Sequence, residues 1–258
     1  MVLSVGMRFA FVVLILFCIS LYYAMRLAMK GKVPKLRKLP ALAAIEEAVG
    51  RAAEMGRPVH VCPGSGELTS SYGAETVVGL SVVAYTAKLA VEKGAGIICT
   101  VMLTDSQPLA EEAIRSAYIL KGKPEGYDPT MVRFAPYGTA YDPFIMGIAE
   151  RERPAANIIV GPFFHQSLFT IEAMKEVGAL SIGGTTRTAM APFFVGGCDY
   201  FLIGEEVMAT GAYLTGRPVV QGSFLAQDYA KYFSIIMILL AVVSASLGID
   251  FVRQLLKW

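Results

Sequence analysis

The chain has 258 residues, of which 55% are hydrophobic and 17% are charged, and its formal net charge is +2. This length accommodates one domain of ordinary size together with accessory segments. The charge is nearly balanced, and the basic excess is confined to residues 26–38. The composition therefore argues against a protein that is basic over its whole surface, and we expect no nucleic-acid partner.

Two apolar segments indicate helices that span a membrane. The first, Phe9–Met25, contains no charged residue in 17 positions, and the second is Phe233–Ile249. Each is close to the lower length limit for crossing the hydrocarbon core of a bilayer. A cleaved signal peptide is the alternative for the first segment. That segment is longer than the usual apolar core of a signal peptide, and most of the basic residues near it lie after it, whereas those of a signal peptide lie before the apolar core.

Basic residues are distributed unevenly around the first apolar segment. Only Arg8 precedes it, whereas six follow it, namely Arg26, Lys30, Lys32, Lys35, Arg37 and Lys38. The positive-inside rule places the N-terminus outside and the central domain in the cytoplasm. Arg253 and Lys257, beyond the second segment, argue the other way but are outnumbered. We expect an integral, two-pass protein of the cytoplasmic membrane, with the lipid bilayer as a partner.

These features divide the chain into five predicted parts. Residues 1–25 form the first transmembrane helix with a short outer N-terminus, and residues 26–39 form a basic cytoplasmic linker. Residues 40–230 form an α/β globular domain, residues 231–249 the second transmembrane helix, and residues 250–258 an outer C-terminal tail. The four cysteines form no CxxC pair and have no histidine at ligand spacing, so we expect free thiols and no metal site.

Six short apolar runs alternate with helical patterns in the central domain. The predicted strands are Val59–Cys62, Gly96–Leu103, Met131–Ala135, Asn157–Gly161, Ala179–Ile182 and Tyr200–Ile203. The predicted helices are Pro40–Met55, Gly73–Lys93, Pro108–Leu120, Asp142–Arg151 with Asp142 and Pro143 as its cap, Ser167–Val177 and Glu205–Leu214. Continuous apolar strands are buried on both faces. The sequence therefore predicts a doubly wound, Rossmann-like α/β fold with a parallel sheet of about six strands.

The helical segment Glu75–Glu92 lacks the polar stripe that a helix packed on one face of a sheet should show. A central helix that is covered on all sides is one interpretation. A subunit interface is another, and contact with the membrane surface is a third. The second interpretation predicts a homo-oligomer in which Thr76–Val91 lies in or beside the contact.

In open parallel sheets, ligands bind at the carboxyl ends of the strands. The loop after the first strand is glycine-rich and leads into a helix, so its backbone N–H groups could bind a phosphate. Its candidate residues are Gly64, Ser65, Gly66, Thr69 and Ser70. Neither the G-x-G-x-x-G nor the Walker pattern is complete, and a tight turn with a helix cap is the alternative.

A second candidate loop follows the fifth strand and contains Gly183, Gly184, Thr185, Thr186 and Arg187. Arg187 could pair with a phosphate or carboxylate of a ligand. Its alternative is an ion pair within the protein, with Asp105 or Glu205. Two further candidate contacts, Asp105 and His165, follow other strands.

Catalytic residues cannot be assigned from these patterns. Ser167, near His165, lacks the G-x-S-x-G elbow of a hydrolase. No cofactor is evident, although a nucleotide or another phosphate-bearing ligand would suit the loops. If a ligand binds, we expect it to contact Gly64–Ser71 and Gly183–Arg187 together.

The order of the segments supports a family resemblance. The motifs GRPVHVCPGSGELTSS and GGTTRTAMAPFFVGGCDYFLIGEE, between two apolar helices, resemble an uncharacterised prokaryotic family of membrane-anchored α/β proteins, a domain of unknown function. The resemblance covers nearly the whole chain and implies no site residue.

Two functions remain open at this point. The first is a self-associating scaffold or ligand-sensing module at the membrane, without evident catalysis. The alternative is a Rossmann-type enzyme or binder of a nucleotide-like or phosphorylated small molecule at the carboxyl edge of the sheet.

Overall fold

The computed structural model of the protein describes residues 7–31, 39–216 and 218–247. The predicted linker residues 32–38, Gly248 and the C-terminal tail lie outside this part of the chain. The chain forms two compact units, one made of residues 1–36 with 215–258 and the other of residues 37–214.

The unit of residues 37–214 is built on a parallel sheet. Its strands are β1 (Val59–Cys62), β2 (Ile97–Val101), β3 (Val132–Phe134), β4 (Ala156–Val160), β5 (Leu180–Thr185) and β6 (Tyr200–Ile203). Their order is β3-β2-β1-β4-β5-β6, and every neighbouring pair is parallel. The order reverses between β1 and β4. The predicted doubly wound parallel sheet of six strands is confirmed.

Helices cover both faces of this sheet. The helices of the chain are α1 (Arg8–Met29), α2 (Pro40–Met55), α3 (Gly73–Lys93), α4 (Gln107–Leu120), α5 (Tyr141–Glu152), α6 (Gln166–Glu176), α7 (Ala191–Gly197), α8 (Glu205–Thr215) and α9 (Pro218–Ser246). Helices α2, α3, α4 and α8 share a core with alternate strand residues such as Val59 and Val61. Helices α5, α6 and α7 share a second core with residues of the opposite face, such as Cys62 and Ile159.

Several predicted boundaries differ from the structure. Gly183 and Gly184 lie inside β5, whereas the sequence placed them in the loop that follows it. Helix α7 was missed because its short segment contains a proline and two glycines. It packs closely on β5, since a Cβ at Gly183 would lie 2.4 Å from Phe194 Cδ1. The predicted cap at Asp142 is wrong, because α5 begins one residue earlier and Ala140 is its N-cap.

Helix α3 lies within the α/β unit. It is long and apolar enough to span a membrane, but 56% of its most apolar window is buried in the structure. Val78 and Val82 are buried, and Val77 is the large apolar residue of this helix that is most exposed. The missing polar stripe is therefore explained by burial within one chain. The structure gives no support to the argument that this helix needs a second subunit.

A row of polar side chains is buried between the sheet and the helices α5 and α6. His60 Nδ1 lies 2.7 Å from Asn157 Oδ1, and His60 Nε2 lies 2.9 Å from Thr100 Oγ1. Because an amide oxygen only accepts, Nδ1 carries the proton and Nε2 accepts from the threonine hydroxyl. Asn157 Nδ2 donates to Ser181 Oγ over 3.4 Å. These four residues link β2, β1, β4 and β5, and we call them the polar row.

The protein is expected to lose stability as the pH falls below about 6.5, because of His60. Burial, partly offset by the hydrogen bond to Asn157, lowers the pKa of His60 from 6.5 to about 4. Between about pH 6.5 and pH 4, His60 is protonated in the unfolded chain but stays neutral in the folded chain. The free energy of unfolding should fall by about 2 kcal/mol between pH 7 and pH 5 from this group alone. Denaturant titrations at both pH values measure it.

The matched control for this pH dependence is His60→Gln, which has no titratable ring. The acidic residues of the protein titrate alike in both proteins, so the difference between them isolates the histidine. An equal loss of stability in the variant and the wild type would contradict the assignment.

The second unit contains the two terminal apolar helices, α1 and α9. Both are long and apolar enough to span a membrane, and almost none of their most apolar windows is buried. Ala24, Ala28 and Ala226 are fully buried, and a Cβ at Gly222 would lie 2.8 Å from Ala28 Cβ. Small residues spaced by four therefore allow the close approach of the two helices. The hydropathy of these helices indicates association with a membrane.

The buried small residues of α9, Gly222 and Ala226, lie before the second transmembrane helix that the sequence predicts at residues 231–249. Helix α9 begins at Pro218, well before the predicted span, and its close approach to α1 lies near that end.

Candidate functional site

The loops that follow β1 and β4 contact each other at the position where the strand order reverses. The backbone N–H of Ser65, after β1, donates to the carbonyl of Pro162, after β4, over 2.8 Å. A Cβ at Gly64 or Gly66 would lie 2.7 or 2.6 Å from the Pro162 ring. Gly64 also has a φ of +101°, which disfavours other residues. These glycines allow one loop to pack on another, so the sequence motif serves packing at this position.

The glycine-rich loop is held by its own hydrogen bonds and by a neighbouring loop. Leu68 N donates to Asp105 Oδ2 over 2.7 Å, which fastens the loop after β1 to the loop after β2. The Ser70 hydroxyl donates to the carbonyl of Glu67 and accepts from Tyr72 N. Thr76 Oγ1 donates to the carbonyl of Gly66 over 2.8 Å. Several donors that could bind a phosphate are thus engaged within the protein.

Arg187 lies between aromatic rings at the carboxyl edge of the sheet. Its guanidinium carbon is 4.0 Å from the centroid of Phe164 and 4.7 Å from that of Tyr72. Tyr137 contacts Phe164 edge to face, with 6.2 Å between the ring centroids. The backbone N–H of Arg187 donates to Thr185 Oγ1. Residues that follow β1 and β4 therefore stack on this cation from the loop after β5 and fix its position, and the loop after β3 packs on Phe164.

The predicted ion pair between Arg187 and Asp105 is not formed. Arg187 Nη1 is buried and has no hydrogen-bond partner among the described residues. Asp105 Oδ2 binds Leu68, while its Oδ1 is likewise buried without a partner. Both residues are half-buried, and a buried polar atom that lacks a partner costs folding free energy, so a partner from outside the protein would be favourable at these two atoms.

Buried polar atoms without partners concentrate at this edge of the sheet. In the described part of the chain, such side-chain atoms belong to Glu75, Thr86, Asp105, Asp142, Gln166 and Arg187. Apart from Thr86, which lies in the middle of α3, each of these residues lies in a loop after a strand or in the first turn of the following helix. Five successive strands, β1 to β5, contribute one residue each. We call these five residues the edge cluster.

The chain belongs to a family described as a domain of unknown function (DUF6754). The family model matches residues 2–256, which include α1 and α9 as well as the α/β unit. No curated protein and no solved structure matches the chain. The resemblance to an uncharacterised family is confirmed, over nearly the whole chain.

Buried groups connect the edge cluster to the polar row in this member of the family. Cys62 lies near Thr100 and Tyr141, and burial raises the pKa of its thiol to about 11. Tyr141 Oη lies 3.0 Å from Thr170 Oγ1, which donates to the carbonyl of Gln166. Burial also raises the pKa of Tyr141 well above its usual value. These groups are neutral at physiological pH and fix the start of α5 against the start of α6.

The other predicted site residues take different positions. Gly183 and Gly184 are buried in β5, and Thr185 supports the backbone of Arg187. His165 is exposed and immediately precedes α6, without a side-chain hydrogen bond to the end of that helix. Thr69 is exposed and Thr186 is half-buried. Arg187, in the second candidate loop, stacks on Tyr72, the residue that follows the first candidate loop.

Sequence reasoning missed most of the edge cluster and its aromatic residues. The missed residues are Tyr72, Glu75, Tyr137, Asp142, Phe164 and Gln166. Each follows a predicted strand, which was a usable signal. Their residue types are common in cores and helix starts, so nothing in the sequence separated them from structural residues.

The remaining reactive groups of the α/β unit are structural. Cys62, Cys99 and Cys198 are free and buried, as the sequence predicted. Burial also raises the pKa of Cys198, to about 12. The described residues hold no group of three or more His, Cys, Asp or Glu side chains placed to bind a metal ion.

Proposed function

We propose that this protein binds a small ligand at the carboxyl edge of its α/β domain and is held at the cytoplasmic membrane by α1 and α9. The observation that carries the proposal is Arg187, whose guanidinium is fixed between Phe164 and Tyr72 while Nη1 has no partner in the described protein. Arg187 is half-buried, but buried side-chain polar atoms such as its Nη1 are nearly always paired, so this atom calls for an explanation. The edge of a doubly wound sheet is also where such folds bind ligands.

The proposed placement in the membrane is a two-pass topology with the α/β domain in the cytoplasm. Its support is the excess of basic residues after α1. Labelling of a cysteine introduced at Ser4 in intact cells tests this placement. If the cysteine is labelled only in permeabilised cells, the topology is the reverse of the one proposed.

Ligand binding is supported better than a purely scaffolding role. The argument for self-association depended on the apolar surface of helix α3, and that helix is largely buried within one chain. The edge cluster, in contrast, offers charged and polar atoms from five loops that no described residue satisfies. A ligand that binds there and changes the loops would make the protein a sensor at the membrane surface.

Binding of small-molecule probes to the full chain in detergent tests the proposed function. The probes are inorganic phosphate, AMP and the twenty standard amino acids, and the readouts are thermal unfolding and calorimetric titration. We expect at least one probe to bind the wild type, and Arg187→Gln to weaken that binding by about 10-fold to 100-fold, the value of a charge-assisted hydrogen bond.

The matched control is Arg115→Gln, which removes an exposed arginine on α4. It should bind the probe as the wild type does. The proposal fails if none of the probes binds, or if Arg187→Gln binds them with unchanged affinity while remaining folded.

A further inference from the structure

The two edges of the parallel sheet are built differently. At one edge, β3 carries Arg133, whose guanidinium pairs with Glu152 over 2.7 Å. Charged side chains on an edge strand are a device by which proteins prevent that strand from pairing with another chain. At the other edge, β6 reads Tyr-Phe-Leu-Ile and carries no charge. Among the described strands, β6 pairs with β5 alone, so its outer side lacks the protection that β3 has.

Two apolar side chains of β6 are exposed on one face of the sheet. Leu202 is buried in the core that β6 shares with α2 and α8. Side chains alternate along a strand, so Phe201 and Ile203 point to the opposite face, on which α5, α6 and α7 lie. Phe201 is nevertheless 41% exposed, and Ile203 is 36% exposed. The helices of this face therefore leave β6 open.

The surface next to β6, which α7 and α6 form, is also apolar. Helix α7 has seven residues and buries Phe194 on β5. Phe193 and Val195 flank this buried ring and are exposed. Helix α7 also packs on Ile171 of α6. Leu168 lies about one turn before Ile171 on the same side of α6, and it is exposed.

These exposed side chains form an apolar patch, which we call the β6 patch. Its residues are Leu168, Phe193, Val195, Phe201 and Ile203, and each is 36–47% exposed. A free side chain of this kind offers about 150–200 Å², so the patch exposes roughly 350 Å². An interface of standard size buries about 800 Å² on each partner and has a mostly apolar centre. The patch is large enough to be the centre of such an interface.

A lipid surface fits the β6 patch less well than a protein does. The charged residues of α6 and of the segments that flank β6 are Glu172, Lys175, Glu176, Asp199, Glu205 and Glu206. The cytoplasmic leaflet of a membrane is anionic and attracts clusters of lysine and arginine. These segments hold one lysine among five acidic residues, so that leaflet would not attract them. Lipid also cannot pair with the backbone groups of an edge strand.

A second copy of β6 satisfies both the backbone and the patch. When two identical strands pair antiparallel about a twofold axis normal to the sheet, directly opposite side chains lie on the same face. A pairing centred on Leu202 places Phe201 opposite Ile203 of the partner subunit, so that apolar side chains cover each other. A pairing centred on Phe201 instead places Ile203 opposite Asp199 of the partner subunit. The first register is therefore the favourable one.

We propose that two copies of this chain associate through the β6 patch, with their β6 strands pairing antiparallel about Leu202. The two six-stranded sheets then form one continuous sheet. The proposed anchoring by α1 and α9 confines the copies to one membrane, which raises their effective concentration for this contact. The inference does not depend on the ligand-binding function proposed above.

The mass of the full chain in detergent, measured by light scattering with the detergent contribution subtracted, tests the association. The wild type should have twice the mass of the 27.8-kDa chain. Phe201→Lys adds a charge and removes an apolar contact on both copies, so its dissociation constant should rise at least about 100-fold. The matched control is Phe134→Lys, which changes a similarly exposed phenylalanine of β3 and should leave the mass unchanged.

Disulfide cross-linking in native membranes tests the register. The background is Cys18→Ser, which removes the exposed cysteine. Phe201→Cys and Ile203→Cys together in this background should give a covalent dimer on oxidation, because the two positions lie opposite each other across the axis. Either substitution alone should cross-link at least about 10-fold less, since identical positions are then diagonal neighbours. Phe134→Cys, on β3, should remain monomeric.

Val195→Lys, an exposed change on α7, replaces Phe201→Lys if that variant does not fold, and thermal unfolding monitors folding. Folded variants that keep the mass of the wild type would overturn the proposal. Cross-linking of Phe134→Cys to the same extent as the β6 pair would overturn it too, since chance collision then explains both. A wild type that is monomeric at every concentration and gives no cross-link in membranes would exclude a second copy as the occupant and favour the bilayer.

Discussion

Replacing Gly79 with alanine is expected to destabilise the α/β unit by more than about 3 kcal/mol, although alanine is the better helix former by about 1 kcal/mol. Gly79 lies in α3 where this helix crosses the ends of β1 and β4. A Cβ at this position would lie 2.4 Å from the carbonyl oxygens of both Pro63 and Val160. Both oxygens belong to the backbone at the ends of the central strands, so they cannot rotate away as a side chain can. The alanine side chain therefore fits only if α3 moves away from the sheet.

The matched control for Gly79→Ala is Gly196→Ala in α7. A Cβ at Gly196 would meet nothing within 4 Å, so only the gain in helix propensity remains. This variant should be as stable as the wild type or more stable by up to about 1 kcal/mol. Chemical denaturation of the full chain measures both changes. A Gly79→Ala protein with wild-type stability would show that the helix and sheet can separate at little cost.

The close contact at Gly79 explains what the sequence could and could not reveal about the fold. The strands were recognisable because apolar runs such as Val59–Cys62 are buried on both faces. Strand β5 was misplaced at its end because Gly183 and Gly184 resemble a turn, and only the packing of α7 on Gly183 shows why glycine is needed there. Glycine required by a distant contact cannot be told from glycine required by a turn when only local sequence is available.

The candidate site was only partly predictable for a similar reason. Sequence order identified the edge of the sheet and two of its charged residues, Asp105 and Arg187. It did not show that Phe164 and Tyr72 would hold Arg187, since stacking between residues so far apart in the chain depends on how the loops meet. It also did not show that the glycine-rich loop would pack on Pro162.

Asn157→Leu is expected to lower the free energy of unfolding by about 2–5 kcal/mol, although leucine has a similar volume and is more hydrophobic. Asn157 is fully buried in β4, where its amide accepts from His60 Nδ1 over 2.7 Å and donates to Ser181. Leucine would leave the N–H of His60 and the hydroxyl of Ser181 without this partner. Buried polar groups that lose their partners cost about 1–3 kcal/mol each, which outweighs the added apolar contact.

A double-mutant cycle with His60→Leu separates the polar contact from packing. His60→Leu alone leaves the Asn157 oxygen and the Thr100 hydroxyl without their shared partner. The double variant removes both the donor and the acceptor of the bond between His60 and Asn157, so it avoids the penalties from that bond, whereas the hydroxyls of Thr100 and Ser181 stay without these partners. Its loss of stability should be smaller than the sum of the two single losses by about 1–3 kcal/mol, measured by denaturation at pH 7. Additive losses would mean that His60 and Asn157 contribute by shape alone. A large coupling would mean that the hydrogen bond itself joins β1 to β4, the two strands whose carboxyl-end loops close at Pro162.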